Sequence, residues 1–364
     1  MNINCDGIVY NPLGGASYMF EKEIIPYLLM NLPKSVIKIS VGAQPNSSPH
    51  FGTLETIALS FGLAKKIIEK DSSKKVIILY EVIETAPGEE LIIDGVKYKK
   101  NLKTTGKVYK YIKEYIEILD YYKSLTGIEY EIRYQNEFNS QKEIGYIIKR
   151  IVDNREYICK RLDPKYNNLR IRMSCPKCGL TDKNSINNKY TDKSIVFYCP
   201  NHGEYTADII KDSSKFEYNS PLRNLIRGIY YTSVNNNDKY DYQILRVTGS
   251  DYAGFYQEEM RYKLASYLGV DVHKMSMIFY APLVLDWSGA KISKSLYVNK
   301  GAYSDIPKAF INYTFLKEKY GLEGLNILFN IVIEWINNPY MLFRHYSIYY
   351  FIKEFDKYEQ SNLC

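Results

Sequence analysis

Three groups of residues have the types and spacing that chemistry needs. The first is Pro49-His50-Phe51-Gly52, at the start of a segment that reads as a helix. Amides at a helix N-terminus favour phosphate, and the His50 imidazole can donate to a polyphosphate. Gly52 has no side chain, so a flat adenine can lie against the backbone there, while Pro49 stiffens the entry. Taken alone, these four residues are as well explained by a capping loop that happens to hold a histidine. The second group, Lys291-Ile292-Ser293-Lys294-Ser295, interleaves two lysines with two hydroxyls. It can grip the β- and γ-phosphates as charge gathers on departing pyrophosphate, with Gly289 upstream letting the loop move. A solvated basic loop is the plainer alternative.

The third group is a repeated turn, Cys175-Pro176-Lys177-Cys178-Gly179 and Cys199-Pro200-Asn201-His202-Gly203, with twenty residues between Cys178 and Cys199. Each turn points two ligands at one ion, and its glycine accepts the positive φ that follows. The spacing is that of a zinc ribbon. Sulfur-rich tetrahedral ligation selects Zn²⁺ over harder cations, and four protein ligands make the role structural. The alternative is four unrelated positions. Cys5, Cys159 and Cys364 stand alone, and His273 and His345 read as surface or satisfied core residues.

The elements that must position these groups follow from periodicity. A short helix is expected over 18–31, then a β-branched strand at Val36–Val41. The stretch from Gly52 to Lys70 repeats apolar residues at helical spacing, and Val76–Tyr80 is a second buried strand. Strand, loop, helix, strand is a parallel βαβ unit, and the His50 loop lies where such units bind ligands. A polar hairpin-like stretch with turns at Pro87-Gly88 and Asp94-Gly95 comes next. Helices are expected over 107–126 and 141–161 around a strand at 129–134, then short strands through 170–212. Alternation resumes with a strand at Ile244–Thr248, a helix over 254–268 and a strand at Met275–Tyr280. From 304 onward the pattern is helical, broken near Gly321 and Pro339.

Composition bounds the class. The chain of 364 residues is 46% apolar and 24% charged, which is a globular balance. A net charge of +7 permits a polyanionic partner without requiring one. The 37 tyrosines, with abundant Lys, Ile and Asn, read as compositional bias and core aromatics, not as rows of base-stacking platforms. No run is long and apolar enough for a membrane span and no signal peptide is apparent, so no membrane partner and a cytoplasmic location are expected.

Order and context bind the first two groups together. The His50 motif, far downstream the Lys291–Ser295 loop, and Gly249-Ser250-Asp251 straight after a strand resemble the signatures of class I aminoacyl-tRNA synthetases, commonly called HIGH and KMSKS. The layout is most similar to class I lysyl-tRNA synthetase. It shares the Ala43–Thr53 run, the Cys-x-x-Cys-Gly insert and Lys-Ile-Ser-Lys-Ser, across roughly residues 18 to 300. The resemblance implies an α/β fold, a Rossmann-like doubly wound parallel sheet, with its halves at 1–168 and 213–303. A zinc-ribbon insertion falls at 169–212 and a short helical tail at 304–364.

By the same resemblance, His50, Lys291 and Lys294 are the catalytic residues. Pro49, His50, Gly52, Gly249, Asp251, Lys291, Ser293 and Lys294 hold ATP with its Mg²⁺, and Cys175, Cys178, Cys199 and His202 hold Zn²⁺. The expected reaction is amino-acid activation as an adenylate, lysine favoured, with transfer to the 2′-hydroxyl of a tRNA 3′ end. Three departures stand out. Thr53 replaces the second histidine of the signature, Tyr252 follows Gly249-Ser250-Asp251 where His or Gln is usual, and the tail is too short for the family's anticodon-binding region. That last point keeps two alternatives open: a synthetase-derived ligase with a non-tRNA acceptor, and a non-catalytic regulatory or RNA-binding paralogue.

Overall fold

The structure, a computed structural model, describes residues 23–292 and 306–361. Its first unit is the βαβ arrangement expected from periodicity: β1 (Val36–Ala43), α2 (Phe51–Lys70) and β2 (Lys75–Val82), preceded by α1 (Ile25–Asn31). Helix α1 is shorter than the 18–31 expectation, whose first five residues lie outside the described range. A hairpin, β3 (Pro87–Ile93) and β4 (Val96–Asn101), follows. It turns at Asp94-Gly95, both at positive φ, while Pro87-Gly88 opens the first strand instead of turning. Next come α3 (Val108–Thr126), β5 (Tyr130–Tyr134), α4 (Gln135–Asn139), α5 (Lys142–Asp153) and α6 (Arg155–Leu162). The single helix expected over 141–161 is thus two, broken at Asn154.

Short strands β6 (Ile171–Met173), β7 (Thr181–Asp182), β8 (Lys189–Tyr190), β9 (Ser194–Cys199), β10 (Gly203–Asp208) and β11 (Phe216–Tyr218) lead to α7 (Ser220–Asn235). Sequence reading passes over this helix. Asn219 caps it, its side chain accepting from the Leu222 amide, and proline sits in its first turn. The chain then forms β12 (Tyr242–Gly249), a π-helical segment (Phe255–Ala265), β13 (Ile278–Ala281) and β14 (Val284–Leu285). Strand β13 starts later than expected because the backbone at Ser276 is engaged elsewhere. Its amide donates to Thr232 Oγ1 of α7, and its carbonyl accepts from the Arg261 guanidinium.

Five strands form one parallel sheet in the order β13-β12-β1-β2-β5. The chain winds outward from β1 in one direction and then returns to β12 on its other side. Between β1 and β12 the winding reverses, and ligands bind beyond the carboxyl ends of strands at such a point. Both β1 and β12 end there, in the loops that carry His50 and Gly249.

The C-terminal segment is helical, as expected, over Tyr313–Tyr320, Glu323–Asn337 and Ile348–Ser361. It is not an appendage. Leu328, Val332, Trp335, Phe351 and Phe355 share one apolar core with Phe51, Leu54, Ala58 and Phe61 of α2. Gly62 permits this approach, since a Cβ there would come within 3.0 Å of Ile336 Cδ1. The segment also makes main-chain bonds to the sheet's loops. Phe51 N donates to Ile311 O at 3.1 Å, Tyr313 N donates to Pro49 O at 2.8 Å, and strand β15 (Tyr346–Ser347) pairs in parallel with β14.

On the opposite face, charge is buried in the sheet. Glu81 of β2, 1% exposed, meets Arg133 of β5 at 2.5 Å, Arg246 of β12 at 3.2 Å and Arg227 of α7 at 3.3 Å. Ser40 of β1 and Tyr231 of α7 also donate to it. Burial alone would raise its pKa, but Arg227, Arg133 and Arg246 together hold it well below the usual carboxylate range. Glu55 of α2 shows the reverse, because burial, with no basic partner among the described residues, pushes it up to about 8.

Two stability predictions follow from these carboxyls. A depressed folded-state pKa stabilises above the ordinary carboxylate range, near pH 4.3, and is lost as pH falls through that range and below. Glu81→Gln should therefore cost about 3–5 kcal/mol at pH 7 and leave a flatter acid limb in urea denaturation below pH 5. Glu55 keeps its proton in the folded chain between roughly pH 4.3 and about 8, where the unfolded chain releases it, so stability declines as pH rises through that window. Glu55→Gln should reduce the fall in Tm between pH 5 and pH 8; an unchanged fall would show that Glu55 ionises normally.

Candidate active site and metal centre

The sheet's reversal point opens into a cavity of about 370 Å³. His50, Gly52, Gly249, Asp251 and Lys291 all line it, so residues far apart in the sequence meet around one space. His50 is the N-cap residue of α2, and Nε2 lies 3.0 Å from Thr53 Oγ1. Thr53, standing where the family signature has a second histidine, thus orients the first. A Cβ added at Gly52 would meet only the His50 ring, at 3.4 Å and beyond, and Val284. The His50 ring thus packs over the Gly52 backbone, with Val284 beside it.

At the end of β12, a Cβ on Gly249 would fall 2.7 Å from Asp251 Oδ1. Glycine here lets the Asp251 carboxylate fold back over the strand end. Its other oxygen accepts from Lys291 Nζ at 2.6 Å, and that nitrogen lies 5.7 Å from the Tyr252 ring centre. Tyr252 in turn stacks on Tyr256 at 4.8 Å. Lys291 is therefore brought to Asp251, a partner that sequence reading did not foresee. Its position is set by a short antiparallel pairing. Ile292 N donates to Val284 O at 3.0 Å, and the turn between is closed by Asp286, whose Oδ1 accepts from the amides of Ser288 and Ala290. Gly289 takes φ +82° in that turn. Ser293 and Lys294 lie outside the described residues. Pro49 lends its carbonyl to Tyr313, which fixes the entry to α2.

Sequence reading missed the wall opposite His50. The first turns of α7 contribute Ser220, Arg223, Asn224 and Arg227 to the cavity, and β12 contributes Arg246. The signal was present: an Asn-Ser-Pro start, then Leu222, Leu225, Ile226 and Ile229 at helical spacing with arginines at 223 and 227. Of the remaining histidines, His273 is exposed; His345 is half-buried, its Nδ1 accepting from the Leu283 amide at 3.3 Å.

The repeated Cys/His turns converge as expected. The ligand atoms of Cys175, Cys178, Cys199 and His202 all lie within 4.8 Å of one another. Cys178 and Cys199 sulfurs are 3.5 Å apart, and His202 Nδ1 is 3.6 Å from the sulfurs of Cys175 and Cys199. A tetrahedron with zinc–ligand bonds of about 2.0–2.3 Å has edges of roughly 3.3–3.8 Å, which the separations of 3.5 and 3.6 Å match, so the cluster could hold a zinc ion. Gly179 and Gly203 take φ +74° and +76°, the conformation their turns require.

The metal centre is tied to the hairpin. Strand β7 pairs with β4, and Tyr98 packs with Cys175, Leu180 and Cys199. Beneath it, Lys99 and Glu217 form a buried ion pair at 2.6 Å, with Asn101 and Ser174 also donating to Glu217. Glu217 lies in β11, immediately before α7. The metal knuckles and the arginine wall are thereby one connected structure.

No protein-family model matches this sequence, and no curated protein does. Among solved structures, similarity is found to a Campylobacter jejuni protein assigned as an arginyl-tRNA synthetase, with 11% identity, a TM-score of 0.37, and 81% of this chain and 62% of that chain covered. It is also found to a glutamate tRNA ligase from Elizabethkingia meningosepticum, at 13% identity and TM-score 0.34, covering 82% and 60%. A glutamate-tRNA synthetase from Elizabethkingia anophelis gives 12%, 0.36, 82% and 61%. The chain thus spans about three fifths of the length of each. At this distance, the roles of the site residues rest on this chain's own geometry. Among the described residues, no helix is long and apolar enough to cross a membrane.

The metal centre makes a direct prediction. Purified protein should carry one equivalent of zinc by mass spectrometry under native conditions, and Cys178→Ser should lose it together with several degrees of Tm. Metal-free wild-type protein of unchanged Tm would remove the structural role.

Proposed function

We propose that the chain activates an amino acid with ATP, forming an aminoacyl-adenylate, and passes the aminoacyl group to the 2′-hydroxyl of a tRNA 3′ end. The observation that carries this reading is the meeting of His50, Gly52, Gly249, Asp251 and Lys291 around one cavity at the reversal point of a parallel sheet. Sequence order separates these residues into three motifs, and the fold unites them at a strand-order reversal, the kind of point at which parallel α/β sheets bind ligands.

In this reading adenine lies over Gly52 and against Gly249, while Asp251 accepts from the ribose hydroxyls. ATP binding then displaces Lys291 from Asp251, since the ion pair occupies the carboxylate the ribose needs. Lys291, released, turns with Lys294 to the β- and γ-phosphates, and Mg²⁺ arrives as the triphosphate's own counter-ion. A carboxylate oxygen of the amino acid attacks the α-phosphorus. The bond to the bridging oxygen breaks, and pyrophosphate leaves with its charge met by His50 and the lysines. The acceptor hydroxyl next attacks the adenylate carbonyl, its proton passing to a phosphate oxygen of the adenylate, and the bond from the carbonyl carbon to that phosphate breaks as AMP departs. No covalent enzyme intermediate is required; positioning and charge stabilisation supply the rate. The zinc-fitting knuckles would guide the acceptor end.

The resemblance favours lysine as the amino acid. Among the described residues lining the cavity, however, the one acidic side chain is Asp251, and Lys291 already pairs with it. A lysine side chain finds no carboxylate there free of a basic partner.

Pyrophosphate exchange into ATP, measured across all amino acids and followed by charging of total tRNA, tests the proposal. Exchange with one amino acid and charging of a tRNA are expected; exchange without charging would move the acceptor to a non-tRNA molecule, and no exchange would sink adenylation. Lys294→Ala and His50→Ala should each lower kcat for exchange at least about 100-fold, the loss typical of removing one transition-state donor, with ATP Kd changed far less. Equal losses in both would place these residues in ground-state binding.

A further inference from the structure

The loop that leads to His50 has little of its own to hold it. It runs from the end of β1 at Ala43 to the start of α2 at Phe51. Asn46 N donates to Gln44 O at 2.8 Å, but Pro45 and Pro49 have no amide hydrogen to give. Gln44, Asn46, Ser47 and Ser48 line the cavity together with His50, so the shape of the loop is part of the shape of the site. Its restraint comes from elsewhere in the chain.

Ser48 is where that restraint gathers. Its hydroxyl donates to Glu114 of α3 and accepts from Thr314 N at 3.1 Å. Thr314 Oγ1 donates to the same hydroxyl at 2.9 Å and lies 3.3 Å from the second Glu114 oxygen. A hydroxyl has one proton and two lone pairs, and Ser48 has committed all three. Although it lines the cavity, it has nothing left to offer a ligand. Neighbouring bonds serve the same end. Tyr115 Oη donates to Ser47 O at 3.4 Å, Tyr313 N donates to Pro49 O at 2.8 Å, and His50 and Asn312 form an antiparallel bridge.

Glu114 needs a reason to be there. Its carboxylate stands one hydroxyl away from a cavity that, on the adenylation reading, receives a triphosphate, and like charges placed so close repel. Among the described residues no lysine or arginine pairs with it; its two oxygens serve Ser48 and Thr314. Glu117, three residues along α3, does pair with a base: Lys317, three residues along the helix Tyr313–Tyr320 from Thr314. That second rung already ties α3 to the C-terminal segment. The Glu114 rung is the one that takes in the loop, because a carboxylate without a basic partner can accept from two hydroxyls at once through charge-assisted bonds.

We propose that Glu114 is a positioning residue for His50. By holding Ser48 against Thr314 it sets the course of the loop, and Pro49, with its fixed φ, passes that setting to the imidazole two residues on. Thr53 orients the ring from the helix side; Glu114 sets its approach from the strand side. What Glu114 does for catalysis rests on the adenylation reading. What it does to His50 does not.

Two measurements on the full chain test this. In pyrophosphate exchange, Glu114→Ala should lower kcat about 10–100-fold, the scale of a reacting group misplaced by up to about 1 Å, with KM for ATP changed less than about twofold. Thr314→Val, which keeps the shape and loses the hydroxyl, should fall likewise, while Thr314→Ser should stay close to wild type. Thr314 is exposed, so this pair keeps the comparison open should Glu114→Ala lose stability. Proton–nitrogen NMR spectra of the imidazoles read His50 without any turnover, because the chain has 4 histidines and His50→Ala assigns the signal. Glu114→Ala and Thr314→Val should shift and broaden that signal and leave those of His202, His273 and His345 in place. No exchange by wild type, with the His50 signal still moved by these variants, would overturn adenylation and leave the positioning role. A His50 signal unmoved in both variants would overturn the positioning role whatever exchange shows, and so would a loss confined to KM or to Tm.

Discussion

One buried carboxylate organises the centre of this molecule. Glu81 sits near the carboxyl end of β2, where β2, β5 and β12 each bring a polar side chain to the same face and α7 closes over them. Three arginines converge on it, so the strands and the helix are held in a common register by charge as well as by packing. Removing Glu81 would leave the desolvated arginines without their shared carboxylate. The arrangement also leaves surplus positive charge at the cavity floor. The network that fixes α7 onto the sheet is thus also what gives the cavity its electrostatic sign.

The second constraint is main-chain pairing around the cavity mouth. The entry to α2 is held by Ile311 and Tyr313, and the strand before Lys291 by Tyr346 and Ser347. Both candidate phosphate-binding loops are thus anchored to the same C-terminal segment, which packs on α2 through Trp335, Phe351 and Phe355. The Asp251–Lys291 pair closes the circle across the strand ends. A nucleotide entering this site would meet a preformed frame in which one ion pair must exchange partners.

Local features of the chain were readable in sequence to the extent that their causes are local. The β-branched run of β1 and the helical spacing of α2 set those elements to within a few residues. The knuckle glycines declared their positive φ through the repeated Cys-Pro-x-(Cys/His)-Gly shape. Helix α7 was passed over because its buried face is not simply apolar: Arg223, Arg227 and Thr232 interrupt the pattern, and their reason for being buried lies on strands elsewhere in the chain. Glu81 fell just beyond the strand read at Val76–Tyr80 and drew no notice for the same cause. The bonds from Pro49 and Phe51 to residues beyond 310 leave no mark in composition or periodicity, so the C-terminal segment read as an appended tail. Break points such as Asn154, and the late start of β13, depend on competing hydrogen bonds that only the folded chain reveals.

The anchoring of the cavity mouth by residues 311–347 bears on when the site comes into being. During synthesis the sheet strands emerge well before the segment that pins their loops, and these are among the longest-range contacts in the chain. Such contacts form late, because loop closure must precede them. The arginine floor and the parallel sheet can be in place while the mouth is still unpinned. Competence to hold a nucleotide would then mark completion of the fold, and a nascent chain halted before residue 311 would carry the chemistry without the frame that aims it.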